Sequence, residues 1–280
     1  FILLSIFQIR SFNSFNLALT LISSGGFLPS NNLNLILNNE IKQIIFSICM
    51  LFSFFSLFLV YNLTLYKKKG IKFLQEDIYL IFYLFLIFIL FLFFADKSIN
   101  FNELFLAISS SVSNIGFSLE NTTNEYSFIF LILIIIGGSF FSTSSGLRFM
   151  KIYSLLKFSI NEVKSHFKPK NVYVNKLPLV EKNMDIQDFY KYFFTVLVFI
   201  ISLVTLSSIL TMFGLSLESA FKISILTIMN TVNSSMTGLN DFNFAELPYL
   251  GKFCLMVFMI IGRVELLTIL ILVKKFFFKN

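Results

Sequence analysis

The stretch Gly137-Gly138-Ser139-Phe140-Phe141-Ser142-Thr143-Ser144-Ser145-Gly146 interrupts an apolar run that covers residues 128–150. Without the interruption this run would be a membrane-spanning helix, because about 20 apolar residues rising about 1.5 Å each cross the hydrocarbon layer. The small and polar string predicts instead a span that breaks. Broken backbone at membrane depth must be buried in protein or line a water-filled cavity, since unsatisfied carbonyls are costly in hydrocarbon.

The composition indicates a membrane chain. Of the 280 residues, 56% are hydrophobic and 13% are charged, whereas an average soluble domain is about a quarter charged. Five apolar runs are long enough, or nearly so, to cross a bilayer: residues 44–66, 78–95, 128–150, 192–213 and 253–273. The sequence therefore predicts an all-α polytopic membrane protein.

The charge pattern predicts the orientation of these runs. Lysine and arginine collect after the first, third and fifth runs, which is typical of connections on the cytoplasmic side. The net charge of +7 follows from this asymmetry, and without a basic stripe on a soluble domain it does not predict nucleic-acid binding. One His and two Cys, the latter inside apolar runs, leave zinc chemistry and triad catalysis without partners, so we expect no enzyme and no bound cofactor.

The outward connections share one pattern. Each opens with a short apolar segment, too short to cross a bilayer, and then meets small polar residues; the segments are 12–20, 101–110 and 219–229. Taken singly, the polar strings could be ordinary extracellular turns. Their matched positions favour an internal repeat of re-entrant short helix, turn and span.

Re-entrant turns of this kind suit a cation. Glycine accepts a positive φ, so successive carbonyl oxygens can point into one axis and replace the hydration shell of an ion. The negative C-terminal ends of the short helices would point toward the same axis. No catalytic side chain is needed for that chemistry.

Four stretches carry a resemblance to a known family. Ser23-Ser24-Gly25-Gly26-Phe27, residues 101–118, the string from Gly137 to Arg148 and Met259-Ile260-Ile261-Gly262-Arg263-Val264-Glu265-Leu266-Leu267 are similar to motifs of the Trk/Ktr/HKT superfamily of potassium transporters, in particular its TrkH-type membrane subunit. The resemblance implies repeated units of span, re-entrant pore helix and span around a pseudo-fourfold pore. It covers three of the four repeats, and the first is expected upstream of Phe1.

The resemblance also implies which residues handle the ion. An ion filter, where backbone carbonyls coordinate potassium, falls on Ser24, Gly25, Gly26, Asn114, Ile115, Gly116, Thr231, Val232 and Asn233. A gate loop below the filter falls on Ser142, Thr143, Ser144, Ser145 and Gly146, with Arg263 near the pore. An Arg inside an apolar span is a functional hypothesis by itself, although Arg263 could instead pin a helix contact through hydrogen bonds to carbonyls.

The fourth loop departs from the family pattern. The glycine expected in its filter is replaced by Val232 or by Asn233, depending on the register. The Asn233 register is physically easier, because Asn tolerates a positive φ and a β-branched residue does not. Loss of a filter glycine leaves sodium as a second candidate ion beside potassium. The gate string departs too, with Phe141 where Gly is usual and Ser144-Ser145 where Ala-Gly is usual.

The predicted organisation has four parts. Residues 1–66 hold the second pore loop and its span, 67–150 the third repeat with the broken span, 151–191 a cytoplasmic connection and 192–280 the fourth repeat. The basic connection is either a solvated loop or a surface for lipid headgroups or an acidic partner. The resemblance implies a homodimer in the bacterial cytoplasmic (inner) membrane, with a TrkA-type nucleotide-binding regulatory subunit.

Two interpretations from other classes remain open. An ion-coupled secondary carrier with a broken-helix site at the midplane would explain the interrupted span, but fits the repeated outward loops poorly. An intramembrane enzyme would need paired acids, His or metal ligands within the spans, which the sequence lacks.

Overall fold

The computed structural model describes residues 1–30, 33–56, 74–94, 100–119, 126–167, 186–233, 235–239 and 242–263. This part of the chain is mostly helical, as predicted. Its helices are α1 (Ile2–Ile6), α2 (Ser11–Ser23), α3 (Glu40–Phe54), α4 (Leu74–Phe94), α5 (Phe101–Val112), α6 (Ser127–Ile135), α7 (Phe149–Ser165), α8 (Ile186–Met212), α9 (Leu217–Met229) and α10 (Tyr249–Arg263).

Two of these helices are long and apolar enough to cross a membrane: Glu76–Phe93 within α4 and Phe189–Met212 within α8. Large apolar side chains cover their outer surfaces, as shown by Phe93, which is 82% exposed. An exposed apolar surface of this kind marks contact with lipid or protein rather than water. Both helices match predicted runs.

The third predicted span breaks where the sequence predicts. Helix α6 ends at Ile135, and the two-residue strand β1 (Ile136–Gly137) pairs in parallel with β2 (Leu147–Arg148). Helix α7 then starts at Phe149 and continues to Ser165, so part of the connection predicted at 151–191 is helical. The segments 57–66 of the first run and 264–273 of the fifth lie outside the described residues.

Three helices of 12 or 13 residues are the predicted re-entrant segments: α2, α5 and α9. At about 1.5 Å per residue they cross little more than half of the hydrocarbon layer. Helix α9 begins cleanly because the N-cap Ser216 side chain accepts a hydrogen bond from Ser219 N at 3.2 Å.

Packing places the three turns in the interior. One buried cluster joins α4, α5, α6, α8, α9 and α10, and a second joins α1, α2 and α3. Leu106 of α5 and Ile115 and Phe117 of the turn that follows it belong to the second cluster. Helix α5 and its turn therefore bridge the two halves of the described structure.

Candidate functional site

The turns after α2, α5 and α9 begin with the same backbone. In each, an amide bonds to the carbonyl five residues earlier: Gly25 N to Thr20 O at 3.2 Å, Ile115 N to Ser110 O at 3.1 Å and Thr231 N to Leu226 O at 2.9 Å. The residue just before each of these amides has a positive φ: 48° for Ser24, 59° for Asn114 and 53° for Asn230. These are left-handed helix ends, in which orphan carbonyls of the last turn find partners.

This shared geometry fixes the register of the fourth loop. The next position along is Gly26 in the first turn and Gly116 in the second, with φ of 67° and 90°, and Val232 in the third. Val232 does not adopt a positive φ. The backbone therefore aligns Val232 rather than Asn233 with the two glycines, because the left-handed residue that closes α9 is Asn230, three positions before Asn233.

Asn233 is engaged within its own loop instead. Its Nδ2 donates to Leu239 O at 3.2 Å, and its Oδ1 accepts the Thr237 hydroxyl at 2.7 Å. The side chain thus ties the strand leaving the turn to the short helix that follows it. These two bonds stabilise the loop.

The three turns meet in space. Val232 N donates to Ile115 O at 3.4 Å, which joins the second and third turns through their backbones. A Cβ on Gly26 would lie 2.6 Å from Ile115 O and would collide with the Val232 side chain, so the first turn reaches the same point. The predicted filter residues are therefore gathered at one place rather than scattered over the periphery, and Ile115 O is shared with a neighbouring amide.

The interrupted span forms a compact loop next to these turns, from Gly137 to Gly146. It is anchored on the C-terminal end of α3, where Ser139 N donates to Phe54 O at 3.1 Å and Ser144 N donates to Ser53 O at 3.3 Å. A Cβ on Gly138 would collide with that same Phe54 carbonyl, so the close approach requires glycine.

The loop contacts the turns directly. The Ser24 hydroxyl donates to Thr143 O at 3.4 Å, and Thr143 Oγ1 donates to Ser53 O at 3.4 Å. Asn114 Nδ2 donates to Ile134 O at 3.1 Å, which ties the second turn to the helix end from which the loop departs. The residues predicted for filter and gate are thus in contact.

Arg263 joins the same two structures. Its Nη1 donates to Ser145 Oγ at 2.8 Å and its Nη2 donates to Ser23 O at 2.9 Å. One guanidinium at the end of α10 therefore binds both the loop and the turn after α2. Glu265, the nearest acid in sequence, lies outside the described residues.

Two charged residues of the site were not predicted. Arg148, the last residue of the motif string, has no role assigned to its side chain by the sequence; its Nη1 lies in the loop, within 3.1–3.2 Å of Ser139 O, Ser142 O, Ser142 Oγ and Ser144 O. Glu76, at the start of α4, accepts the Phe140 amide at 2.9 Å and is 1% exposed. The sequence feature that could have indicated Glu76 is its position as a carboxylate immediately before the apolar run 78–95.

Comparison with known proteins identifies the family. The model of the TrkH family, described as cation transport protein, matches residues 95–278. The chain belongs to the TrkH family. The TrkH relatives of this chain are transporters rather than enzymes, and the described residues contain no cluster of three or more His, Cys, Asp or Glu that could hold a metal ion.

Individual relatives cover part of the chain. It is 28% identical over 186 residues to the Trk system potassium uptake protein TrkH of Salmonella typhimurium, a match that covers 64% of this chain and 37% of that protein. For the protein of the same name from Escherichia coli K12 the identity is 26% over 194 residues, covering 67% and 38%. This TrkH-family chain thus matches well under half the length of these relatives.

A solved structure shares the fold. The crystal structure of the potassium transporter TrkH from Vibrio parahaemolyticus superimposes with a TM-score of 0.78 at 20% sequence identity, over 97% of this chain and 60% of that one. The TrkH-family chain therefore has the architecture of a known membrane transporter.

Proposed function

We propose that this chain belongs to a protein that takes up potassium, and also sodium, through a pore whose filter is made of backbone carbonyls. The observation that carries the proposal is the meeting of three like-built turns, in which Gly26, Gly116 and Val232 occupy equivalent positions and both glycines lie against Val232. Their short helices end at this point, and the negative ends of helices attract cations. The relatives named as potassium uptake proteins support the same ion.

The gate would be the loop that includes Ser142, Thr143, Ser144, Ser145 and Gly146, with Arg263 as its link to the filter. The proposal is supported by the Ser24 contact with Thr143 and by the Arg263 contacts with Ser145 and Ser23. A loop that lies directly against the filter turns must move before an ion can leave them. Closure by this loop is then the resting state.

The fourth position sets the expected selectivity. A potassium filter uses carbonyls that point into one axis, and a positive φ at glycine permits that orientation. Val232, which lacks the positive φ, breaks the pattern in one turn. We therefore propose weaker discrimination between potassium and sodium than a filter with glycine at every equivalent position would give.

The assembly follows from the family. We propose a homodimer in the bacterial cytoplasmic membrane, surrounded by lipid. Each chain would have the four parts predicted from the sequence, with boundaries after residues 66, 150 and 191. A TrkA-type nucleotide-binding subunit would contact the cytoplasmic side, where α7 ends in a basic last turn. Potassium would be the transported ion and not a resident cofactor.

Rubidium uptake into liposomes tests the function. The complete protein is reconstituted, loaded vesicles are assayed with radioactive rubidium, and potassium, sodium and choline are added as competitors. We expect competition by potassium, less by sodium and none by choline. Failure to take up any alkali cation would overturn the proposal.

The carrier alternative is favoured by one observation, the interrupted helix pair α6 and α7, since broken helices form the binding sites of many carriers. The same vesicles separate the two mechanisms. A pore passes rubidium down its own gradient without a proton or sodium gradient, whereas a coupled carrier accumulates it only when such a gradient is imposed.

A further inference from the structure

The gate loop is folded around a charged side chain of its own. Arg148 Nη1 lies within 3.1–3.2 Å of four loop oxygens, the carbonyls of Ser139, Ser142 and Ser144 and the Ser142 hydroxyl. Carbonyls of a broken helix need donors at membrane depth, and Arg148 adds to those within the loop, where Ser139 O also accepts from Ser142 N at 3.1 Å. With its oxygens turned inward onto Arg148, the loop is a preformed unit.

The same loop is held from outside by a carboxylate. Glu76 Oε1 accepts the Phe140 amide at 2.9 Å, and the side chain is 1% exposed. The loop's backbone contacts with α3, to Phe54 O and Ser53 O, have neutral acceptors. A hydrogen bond to an ionised group is roughly twice as strong as a neutral one. In its ionised form, Glu76 therefore supplies a stronger external bond than either of those carbonyls.

The charge of the loop unit favours this bond as well. The Glu76 carboxylate, when ionised, and the Arg148 guanidinium carry opposite charges, and both contact this loop. The Glu76 side chain reaches out of its helix to a loop 64 residues away, rather than capping the first turn of α4. Its neighbour Asp77 is equally buried and also accepts a backbone amide, but that amide is Ser56 N at 3.0 Å, after α3, and not part of the loop.

We propose that Glu76 is a positioning residue that holds the gate loop against the filter turns through the Phe140 amide, while Arg148 keeps the loop folded as one unit when that bond releases. The inference rests on the proposed function. Glycine lies at both ends of the unit, with Gly146 at a φ of 91°, so the chain can bend there without unfolding the loop. Opening is then the displacement of a rigid loop.

Rubidium uptake by the complete protein and amide hydrogen exchange of the peptide that covers residues 138–146 test the latch. Glu76→Ala removes the acceptor of the Phe140 amide. We therefore expect the ratio of closed to open protein to fall about tenfold, and both rubidium uptake and hydrogen exchange of the loop to rise. Glu76→Gln keeps a neutral acceptor and should give a smaller rise in both. Asp77→Asn is the matched control, for which uptake and loop exchange should stay at the wild-type level.

Arg148→Gln separates the two roles. It should raise exchange throughout the loop and lower uptake, because the carbonyls lose their common donor and the loop no longer moves as a unit. The same gain in uptake from Arg148→Gln as from Glu76→Ala would overturn the division of roles. Unchanged loop exchange in Glu76→Ala would overturn the latch itself. A wild-type protein that takes up no rubidium would overturn the proposed function, while loop exchange would still judge the latch.

Discussion

Gly116 lies against the backbone of Val232 in the neighbouring turn. A Cβ on Gly116 would stand 2.7 Å from Val232 N and would collide with the Val232 carbonyl, and the φ of Gly116 is 90°. Two separate demands, a left-handed backbone and the absence of a side chain, therefore meet at one residue. The contact joins the second and third turns, so any displacement of Gly116 also displaces Val232.

Gly116→Ala should abolish rubidium uptake. The left-handed conformation costs a residue with a Cβ about 1–2 kcal/mol, and overpacking adds about 1–3 kcal/mol, so we expect a loss of about 3 kcal/mol or more in unfolding free energy. Uptake into liposomes and unfolding in detergent measure the two effects. Gly214→Ala is the matched control, since Gly214 has a φ of 91° but a Cβ added there would meet no described atom within 4 Å. Gly214→Ala should lose only the cost of the left-handed conformation and keep its rubidium uptake. If both variants lost the same unfolding free energy, packing between the turns would be irrelevant.

Val232→Gly should raise the preference for potassium over sodium. Glycine at this position can adopt the conformation of Gly26 and Gly116, and so point its carbonyl as they do. Competition of potassium and sodium against rubidium uptake measures the ratio, which we expect to change several-fold. Asn233→Gly should leave the ratio unchanged and lower only stability, because Asn233 bonds to Leu239 and Thr237 within its loop. A change of selectivity in Asn233→Gly alone would instead assign the filter position to Asn233.

The break in the third span and the three short helices could be predicted, because run length and strings of small polar residues are local properties of the sequence. The register of the fourth loop could not. Asn230 and Asn233 both tolerate a positive φ, and local preference does not choose between them. The choice coincides with a tertiary contact, since Asn230 Nδ2 donates to Met259 O of α10 at 2.9 Å.

The charged groups of the gate show a second limit. Glu76 and Phe140 are 64 positions apart, and no periodicity relates them. The resemblance to a family implies a role for Arg263, whereas Arg148 lies at the end of a motif string that does not indicate where its side chain binds. The spacing of residues in the sequence does not predict long-range contacts between a side chain and a backbone amide.

Arg263→Gln should weaken the link between filter and gate. It removes a charged donor from Ser145 Oγ and from Ser23 O, contacts of 2.8 and 2.9 Å, and we expect faster rubidium uptake with little loss of stability. A double-mutant cycle with Ser145→Ala tests the route. The coupling should be about 1 kcal/mol, so that Ser145→Ala has little further effect once Arg263 is changed. Purely additive effects on uptake would mean that Arg263 acts through some other contact.

Gly262→Ala should disrupt the same link from a distance. Gly262 lies where α10 crosses α9, and a Cβ there would fall on the Ile228 carbonyl, so the two helices would have to separate. Close approach through small residues is a common basis of helix packing in membranes. Because Arg263 is the next residue, a displaced α10 would carry the guanidinium away from Ser145 and Ser23.

The comparison for that variant is Gly251→Ala in the same helix. A Cβ on Gly251 would lie 3.3 Å from the Phe213 ring, which needs to yield by only a few tenths of an ångström. Alanine in a helix also gains about 1 kcal/mol over glycine. Gly251→Ala should therefore be neutral or slightly stabilising, while Gly262→Ala should cost about 2–3 kcal/mol through overpacking and alter uptake. Thermal unfolding of both variants in detergent measures the difference. If the two variants were equally stable, the packing of α9 against α10 would be looser than the Gly262 contact indicates. Arg263 would then be positioned by its own hydrogen bonds.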